Sequence, residues 1–169
     1  MTATAPHDFG GPEELIDQLR KTPLILQGLV LWMPEDAPPI RLSDDDWSVL
    51  EIIGHLIDAE RRAIARIALL QAEEIPNLEG YDPDALVKSN DYQSVSLKKL
   101  VENFVLLRLE RIQALEQLGD KEWLRTARID QLGMVTMLQI TAHMCWHDMN
   151  HLAQIAAIRK AKGSAEVSN

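Results

Sequence analysis

The fold is decided by residues 43–71, whose sequence is SDDDWSVLEIIGHLIDAERRAIARIALLQ. Ser43 is followed by three aspartates, a pattern typical of a helix N-terminus, because the serine caps free backbone N–H groups and the acids complement the helix dipole. Apolar side chains then recur at helical spacing: Val49, Ile52, Ile53, Leu56, Ile57, Ile64 and Ile67. The sequence therefore predicts one long amphipathic helix that begins at Ser43 and ends near Gln71.

Three further long helices are predicted around this one. The first covers residues 12–32 and has Pro12 and two glutamates in its first turn. A kink or break is expected at Pro23, which lies inside it. The third helix runs from residue 94 or 96 to residue 118, and the fourth covers residues 134–161.

The connections between these helices, residues 75–90 and 120–133, are rich in turn residues and are expected to be irregular. No segment shows a sustained two-residue alternation of apolar and polar side chains, so no sheet is expected. The pattern favours an all-α fold, an up-down four-helix bundle with long connections. We expect residues 12–161 to form this single domain, with residues 1–11 and 162–169 as flexible termini.

The composition limits the classes of function. The chain has 169 residues, 46% of them apolar, and a net charge of −9, which disfavours nucleic acids and anionic membranes as partners. No apolar run approaches the ~20 residues that span a bilayer, and the first residues lack the features of a secretory signal. The single cysteine, Cys145, excludes an intrachain disulfide framework and a cysteine-rich zinc site. We therefore expect a cytoplasmic protein with a small-molecule substrate.

Three of the five histidines stand one helical turn apart in His143-Met-Cys-Trp-His147-Asp-Met-Asn-His151. Residues four apart on a helix lie about 5–6 Å from each other, so either neighbouring pair could bind one metal ion. His143 and His151 are about 12 Å apart along the axis and cannot share an ion. We favour His147 and His151 because Asp148 and Gln154 could orient them. The pair of His143 and His147 stays open as the alternative.

A third ligand is expected from His55 in the second predicted helix. A pair of histidines on one helix and a single histidine on a facing helix would place three imidazoles around a divalent metal ion. Such a site leaves coordination positions for water or substrate, which suits catalysis. The same pattern also fits a metal-free bundle whose histidines are hydrogen-bonded residues of a polar seam. Histidines four residues apart also occur by chance, so the position of the third histidine distinguishes the two interpretations.

Three motifs follow one another along the chain: Trp47-Ser48-x-x-Glu51-Ile52-x-x-His55-Leu56-x-Asp58-x-Glu60, then Trp123-Leu-Arg125-Thr-x-Arg128 ahead of Gly133, then His147-Asp148-x-x-His151-Leu-x-Gln154-Ile155. In this order and spacing, residues 12–160 resemble the DinB-like, YfiT-related superfamily of metal-binding four-helix bundles. The resemblance implies one divalent metal ion, nickel or zinc, held by one histidine of the second helix and two of the last. The matching positions are His55, His147 and His151.

The resemblance also implies a class of reaction. The implied protein is a metal-dependent enzyme that acts on a small molecule. Its reaction would be a thiol-dependent S-transfer, or a related hydrolysis or isomerisation, with a low-molecular-weight thiol such as mycothiol or bacillithiol. The alternative is a metal-binding, stress-linked bundle without catalysis. His143, which is extra to the three-ligand pattern, is a candidate general base. Three arginines are candidate receptors for an anionic group of the substrate: Arg108, Arg125 and Arg128.

The remaining residues near these motifs are expected to have structural roles. Glu51 and Asp58, on either side of His55, are expected to be exposed helix acids. Cys145 projects to the apolar face of its helix and is expected in the core. Because apolar residues wrap most of this last helix, we also expect the protein to form a homodimer.

Overall fold

The computed structural model describes residues 10–33, 38–130 and 132–166. In chain order its elements are α1 (Pro12–Leu31), α2 (Val49–Ala72), α3 (Pro83–Asn90), a 3-10 turn (Tyr92–Ser94), α4 (Leu97–Glu116), α5 (Asp120–Trp123), β1 (Thr126–Ile129), β2 (Gly133–Thr136) and α6 (Met137–Glu166). The four long helices form the bundle that the sequence predicts, and this part of the prediction is confirmed. In the part of the chain described, no helix has both the length and the hydropathy of a membrane span. Of the expected flexible termini, residues 1–9 and 167–169 lie outside the described residues.

Two apolar clusters fix the directions of the four long helices. In one cluster the beginnings of α1 and α6 meet the ends of α2 and α4, as in the case of Leu15 and Leu115. In the other cluster the opposite ends meet, as in the case of Leu26 and Phe104. Helices α1 and α6 therefore run in one direction, and α2 and α4 run in the other. The up-down alternation holds for α1–α2 and for α4–α6, but α2 and α4 are parallel, so the chain between them must cross the length of the bundle.

The arrangement of the four helices places α2 beside α6. Helix α1 contacts α4 and α6, and helix α2 also contacts α4 and α6. The helix that carries His55 is thus a direct neighbour of the helix that carries His147 and His151. This adjacency is the condition that the predicted three-histidine site requires.

Helix α2 begins later than the sequence pattern indicates. Its N-cap is Ser48, whose hydroxyl oxygen accepts from the backbone N–H of Glu51 at 3.3 Å, while the Glu51 carboxylate accepts from the backbone N–H of Ser48 at 2.9 Å. These reciprocal bonds form a capping box. The predicted N-cap at Ser43 is wrong, because the Ser-x-x-Glu spacing at residues 48–51 satisfies two free backbone donors at once.

Pro23 lies inside α1 without breaking it. A proline lacks the N–H that would bond to the carbonyl four residues earlier, here Leu19. That carbonyl instead accepts from Nη1 of Arg108 on α4 at 3.0 Å. The expected break is therefore absent, because a side chain from a neighbouring helix replaces the missing backbone donor.

Both connections contain more regular structure than predicted. The first includes α3, which begins after the N-cap Asp82. The second forms an antiparallel hairpin of β1 and β2, in which Thr126 pairs with Thr136 and Ile129 pairs with Gly133. The expectation of no sheet is wrong, because four-residue strands are too short to show alternation. The hairpin also occupies residues 133–136, so α6 begins at Met137 and not near residue 134.

Candidate metal centre

Three histidines from two neighbouring helices meet in the interior of the bundle. His55 lies in the second turn of α2 and is only 3% exposed, and His147 and His151 lie one turn apart on α6. The Nε2 atom of His147 is 2.8 Å from Nε2 of His55 and 3.2 Å from Nε2 of His151. Among the described residues, this is the one group of three potential metal ligands whose ligand atoms converge, all within 4.8 Å of one another.

The structure also shows which histidine lies outside the group. His143 lies one turn before His147 on α6, and its ring is exposed and 5.6 Å from the ring of Trp146. It does not join the convergent set. The pair favoured from the sequence is therefore the pair that faces His55. The roles of these four histidines, as three ligands and a general base, stay predictions.

The two short contacts of Nε2 of His147 cannot both be hydrogen bonds, because the three imidazoles carry too few protons. The side-chain oxygen of Gln154 accepts from Nδ1 of His151 at 2.8 Å, so Nε2 of a neutral His151 carries a lone pair and no proton. Nε2 of His147 could then donate its one proton to His151 or to His55, but not to both. At most one of the two short contacts is a hydrogen bond in the neutral cluster. A cation between the three lone pairs would satisfy all of them.

Burial keeps two of these rings neutral. Desolvation, followed by the charges of His151 and His147, lowers the pKa of His55 to about 3. Desolvation and the charge of His147 lower the pKa of His151 to about 4, although Gln154 and Asp148 act in the opposite direction. Both rings are therefore in the unprotonated form that binds metals at neutral pH.

Two of the three separations between the nitrogens fit a single divalent ion, and the third is at most 4.8 Å. Two nitrogens bound to one tetrahedral zinc ion, each at 2.0–2.1 Å, lie about 3.3 Å from each other. The two observed separations, 2.8 and 3.2 Å, are close to this value. Three neutral imidazoles also form the ligand set of an open catalytic site, in which further positions are left for water or substrate.

Asp148 lies behind His147 and is almost fully buried. Its Oδ1 is 3.9 Å from Nδ1 of His147, too far for a hydrogen bond, and both atoms are buried without a hydrogen-bond partner in the described residues. Its Oδ2 accepts from Arg108 at 2.7 Å. Burial raises the pKa of Asp148, but the charges of Arg108 and Arg111 and the hydrogen bonds to the carboxylate together outweigh burial and hold the pKa below its ordinary value. The carboxylate is thus charged and lies next to the imidazole of His147, and its role in orienting this ring stays a prediction.

Behind Asp148, a cluster of buried charges connects the four long helices. Arg108 on α4 pairs with Asp148 on α6 at 2.7 Å and with Glu60 on α2 at 2.8 Å, and Arg111 pairs with Glu60 at 3.0 Å. All four side chains are at most 1% exposed. The two positive and two negative charges balance, which is the condition for burying them. The cluster supports α6 directly behind the histidines.

The arginines that we expected to receive an anionic substrate group have other roles. Arg108 is buried in the charge cluster. Arg125 donates to the backbone carbonyls of Leu70 and Glu73, and Arg128 is exposed on β1. No hydrogen bond or ion pair joins any of them to the three histidines within the described residues. The burial of Arg108 contradicts this prediction for that residue, and the prediction has no support for Arg125 and Arg128.

The two acids beside His55 are buried, contrary to expectation. Burial raises the pKa of Glu51, but its bonds with Arg41 and Ser48 outweigh burial and lower it to about 2. Asp58 is 5% exposed and accepts from Nδ2 of Asn90 at 3.0 Å. Both acids are structural residues whose partners come from the connections before and after α2. Cys145 is in the core as expected, where burial raises the pKa of its thiol to about 11.

Aromatic side chains enclose the centre on two sides. The ring of Trp47 lies 4.8 Å from that of His55 and 6.0 Å from that of His151, and the ring of Tyr81 lies 6.4 Å from that of His55. Beside His151 and Gln154 a cavity of about 490 Å³ opens, with an apolar wall formed by Leu42, Trp47, Ile52, Pro83 and Ile158. This volume lies in the range that binds small molecules.

Sequence reasoning missed Tyr81, Arg62 and Arg66. Tyr81 reaches the centre from the connection after α2, where no local pattern marks it. The two arginines follow His55 by seven and eleven residues, close to two and three full helical turns. The helical spacing on α2 could therefore have placed them on the same side of the helix as His55.

Comparisons with known proteins agree with this geometry. A model of the DinB superfamily matches residues 13–155. A Geobacillus kaustophilus protein named as a candidate metal-dependent hydrolase is 26% identical over 96% of this chain and 93% of its own length. YfiT from Bacillus subtilis, named in the same way, is 22% identical over 89% of this chain and 85% of its own length.

The fold has a counterpart among solved structures. The structure of YfiT from Bacillus subtilis superposes with a TM-score of 0.83, covers 96% of this chain and 93% of its own, and is 20% identical. It is described as having an unusual four-helix bundle topology.

Proposed function

Because this chain belongs to the DinB superfamily, we propose that it is an enzyme that depends on one divalent metal ion, nickel or zinc, and acts on a small molecule. The ligands would be the Nε2 atoms of His55, His147 and His151. One observation carries the proposal: these three atoms converge in two short contacts that cannot both be hydrogen bonds. The names of the relatives, which describe candidate metal-dependent hydrolases, support the same class of protein.

The residues around the centre would define how it works. A divalent ion held there supplies a Lewis acid that lowers the pKa of a bound water or thiol and yields a nucleophile near neutral pH. Gln154 and Asp148 would fix the rings of His151 and His147. The apolar wall beside Trp47 would hold the substrate and exclude bulk water. His143, one turn from the ligands, would accept the proton that the nucleophile releases.

We propose a low-molecular-weight thiol as the nucleophile, which makes the reaction an S-transfer. Water is the other nucleophile that the same centre could activate, and the reaction would then be a hydrolysis. The names of the relatives support hydrolysis, whereas the family resemblance of the motifs supports thiol chemistry. Both nucleophiles therefore belong in the test.

The test starts from protein purified without a histidine tag. We expect about one equivalent of nickel or zinc by elemental mass spectrometry. The loaded protein is then screened with an electrophile and several low-molecular-weight thiols, and separately with esters and amides in the absence of thiol. Activity should disappear with a chelator and return with the metal. Metal below ~0.1 equivalent, together with an unchanged melting temperature in His55→Ala, would rule out the proposal. A loaded but inactive protein would indicate a binding protein without catalysis.

We also propose that the protein forms a homodimer. Large apolar side chains are exposed on α1, at its C-cap and on the neighbouring helix α6: Leu24, Leu31, Trp32, Trp146 and Met149. Exposed apolar residues in such number often mark an interface. Analytical ultracentrifugation at tens of micromolar protein would show a monomer if this proposal is wrong.

A further inference from the structure

Two arginines of α2, Arg62 and Arg66, stand one turn apart on the side of the helix that carries His55. Both donate to the same acceptor, the backbone carbonyl oxygen of Glu79, from Nη2 at 2.8 and 3.3 Å. They line a cavity of about 350 Å³ together with Ala65, Leu69, Asn77, Leu78 and Glu79. The two guanidinium groups are thus held next to each other by one neutral oxygen atom.

The positive charges of this pair are not compensated. In the described residues, neither guanidinium forms an ion pair with a carboxylate, although the chain carries a net charge of −9. Burial and the charge of Arg62 both lower the pKa of Arg66. The Nε atom of Arg62 is buried and has no hydrogen-bond partner among the described residues. Two adjacent like charges in a partly buried position destabilise each other, and an anion between them would remove this cost.

Ring contacts connect the pair to the three-histidine centre. The guanidinium carbon of Arg62 lies 4.0 Å from the centre of the Tyr81 ring, and the Tyr81 ring is stacked at 6.4 Å on that of His55. The charge of Arg66 also lowers the pKa of His143, after the larger effects of desolvation and of the charge of His147. The arginines are therefore connected to the centre through the ring of Tyr81.

We propose that Arg62 and Arg66 bind an anionic oxygen group of the substrate, a carboxylate or a phosphate, while the reacting group of the same molecule lies at the three histidines. This inference rests on the proposed function and adds the substrate class to it. The planar guanidinium fork matches carboxylate and phosphate oxygens, with which it forms paired, charge-assisted hydrogen bonds. The site would favour substrates or thiols that carry an acidic group.

The test compares two thiols on protein loaded with cobalt(II). Binding of 3-mercaptopropionate and of its neutral counterpart 2-mercaptoethanol is followed by the thiolate-to-cobalt absorption band. We expect the carboxylate-bearing thiol to bind at least ~10-fold more tightly, as the loss of charged hydrogen bonds predicts. The double variant Arg62→Gln/Arg66→Gln should lose this preference and keep the affinity for 2-mercaptoethanol. Arg61→Gln removes a neighbouring exposed arginine from the same helix and should keep the preference.

Two results would overturn the inference: wild-type protein that does not distinguish the thiols, or a preference that survives in the double variant. Failure to bind cobalt would contradict the proposed function instead. In that case metal-free protein is titrated separately with acetate and with inorganic phosphate, and the arginine Nε–H signals are followed by NMR. Saturable shifts of Arg62 and Arg66, with Arg61 unaffected, support the anion site and show which group it prefers. The absence of saturable shifts with both anions overturns it.

Discussion

At the scale of the residue, His147 occupies the central place among the three histidines, and single replacements separate ligands from supporting residues. His151→Ala removes a proposed ligand and should weaken zinc binding by more than ~100-fold. Gln154→Leu removes only the oxygen that accepts from Nδ1 of His151, so a smaller loss of ~10–100-fold is expected. Competition with a chromophoric chelator measures both affinities.

The matched control for these variants is His143→Ala. Its ring lies one turn from His147 and outside the convergent group, so zinc affinity should stay at the wild-type value. If this variant loses affinity as strongly as His151→Ala, the ion is held by the pair of His143 and His147, and our ligand assignment is wrong.

The metal-free protein should lose stability as the pH falls below about 6.5. In the unfolded chain a histidine titrates near this value, but in the folded protein the pKa is about 3 for His55 and about 4 for His151. Below pH 6.5 the unfolded state therefore binds protons that the folded state does not, and the free energy of unfolding decreases towards the folded pKa values. The effect is complete only near these values.

Urea unfolding at pH 7.5 and pH 5.5, with a chelator present, measures this loss. The interval lies above the ordinary pKa of carboxylates, so Glu51, whose pKa is about 2, does not contribute. The variant His55→Asn has one buried histidine fewer, so its free energy of unfolding should depend less on pH than that of the wild type. Equal stability of the wild type at both pH values would show that the rings are not desolvated as described.

The sequence predicted the three histidines because a single spacing on one helix placed two of them. It did not predict the residues whose positions depend on distant contacts. Glu51 and Asp58 were expected on the surface, but they are buried because Arg41 and Asn90 reach them from outside α2. Tyr81 comes from a connection whose path no helical period describes. Local spacing therefore limits the candidate ligands on the last helix to two pairs, and the contact with His55 on α2 distinguishes the pairs.

At the scale of the element, the beginning of α2 is the clearest test of local energetics. Ser48→Ala removes the hydroxyl that accepts from the backbone of Glu51 and should lower the free energy of unfolding by about 1 kcal/mol. Ser43→Ala changes an exposed serine whose hydroxyl donates to the carboxylate of Asp46 and should have a much smaller effect. Urea unfolding of both variants gives the comparison. A larger loss of stability in Ser43→Ala would show that α2 begins at Ser43, as the three aspartates predicted.

Helix α4 was predicted from the sequence, whereas the hairpin of β1 and β2 was not. The third predicted long helix is found as α4, Leu97–Glu116, with Ser96 as its N-cap, because its capping residue and its apolar period agree. The hairpin was missed because its strands owe their position to non-local bonds. Arg128 of β1 donates its N–H to the carbonyl of Pro76 at 2.9 Å and accepts from the N–H of Leu78 at 2.8 Å. Those partners lie in the other connection, about fifty residues earlier.

At the scale of the whole molecule, the directions of the helices could not be predicted from helix patterns. The apolar stripe of each helix identifies a buried face but not the neighbour that covers it. The parallel pair α2 and α4 depends on a connection long enough to return along the bundle. The buried charge cluster shows the same dependence, since Arg108 becomes a core residue only when α1, α2 and α6 each supply a partner.

Arg108 should therefore stabilise the whole bundle. Arg108→Met keeps most of the side-chain volume but leaves the carboxylates of Glu60 and Asp148 without this partner, and the carbonyl of Leu19 without its donor. Removing one member of a buried ion pair costs about 3–5 kcal/mol. We expect a loss of this size in the free energy of unfolding, measured by urea denaturation of the metal-free protein.

The control for this variant is Arg20→Met, which removes an exposed arginine that pairs with Glu116 between α1 and α4. Exposed ion pairs contribute about 0–1 kcal/mol, so this variant should unfold almost as the wild type does. Equal small losses in both variants would mean that solvent reaches Glu60 and Asp148 once Arg108 is gone. The charge cluster would then be a local contact and not a condition for assembling the four helices around the histidines.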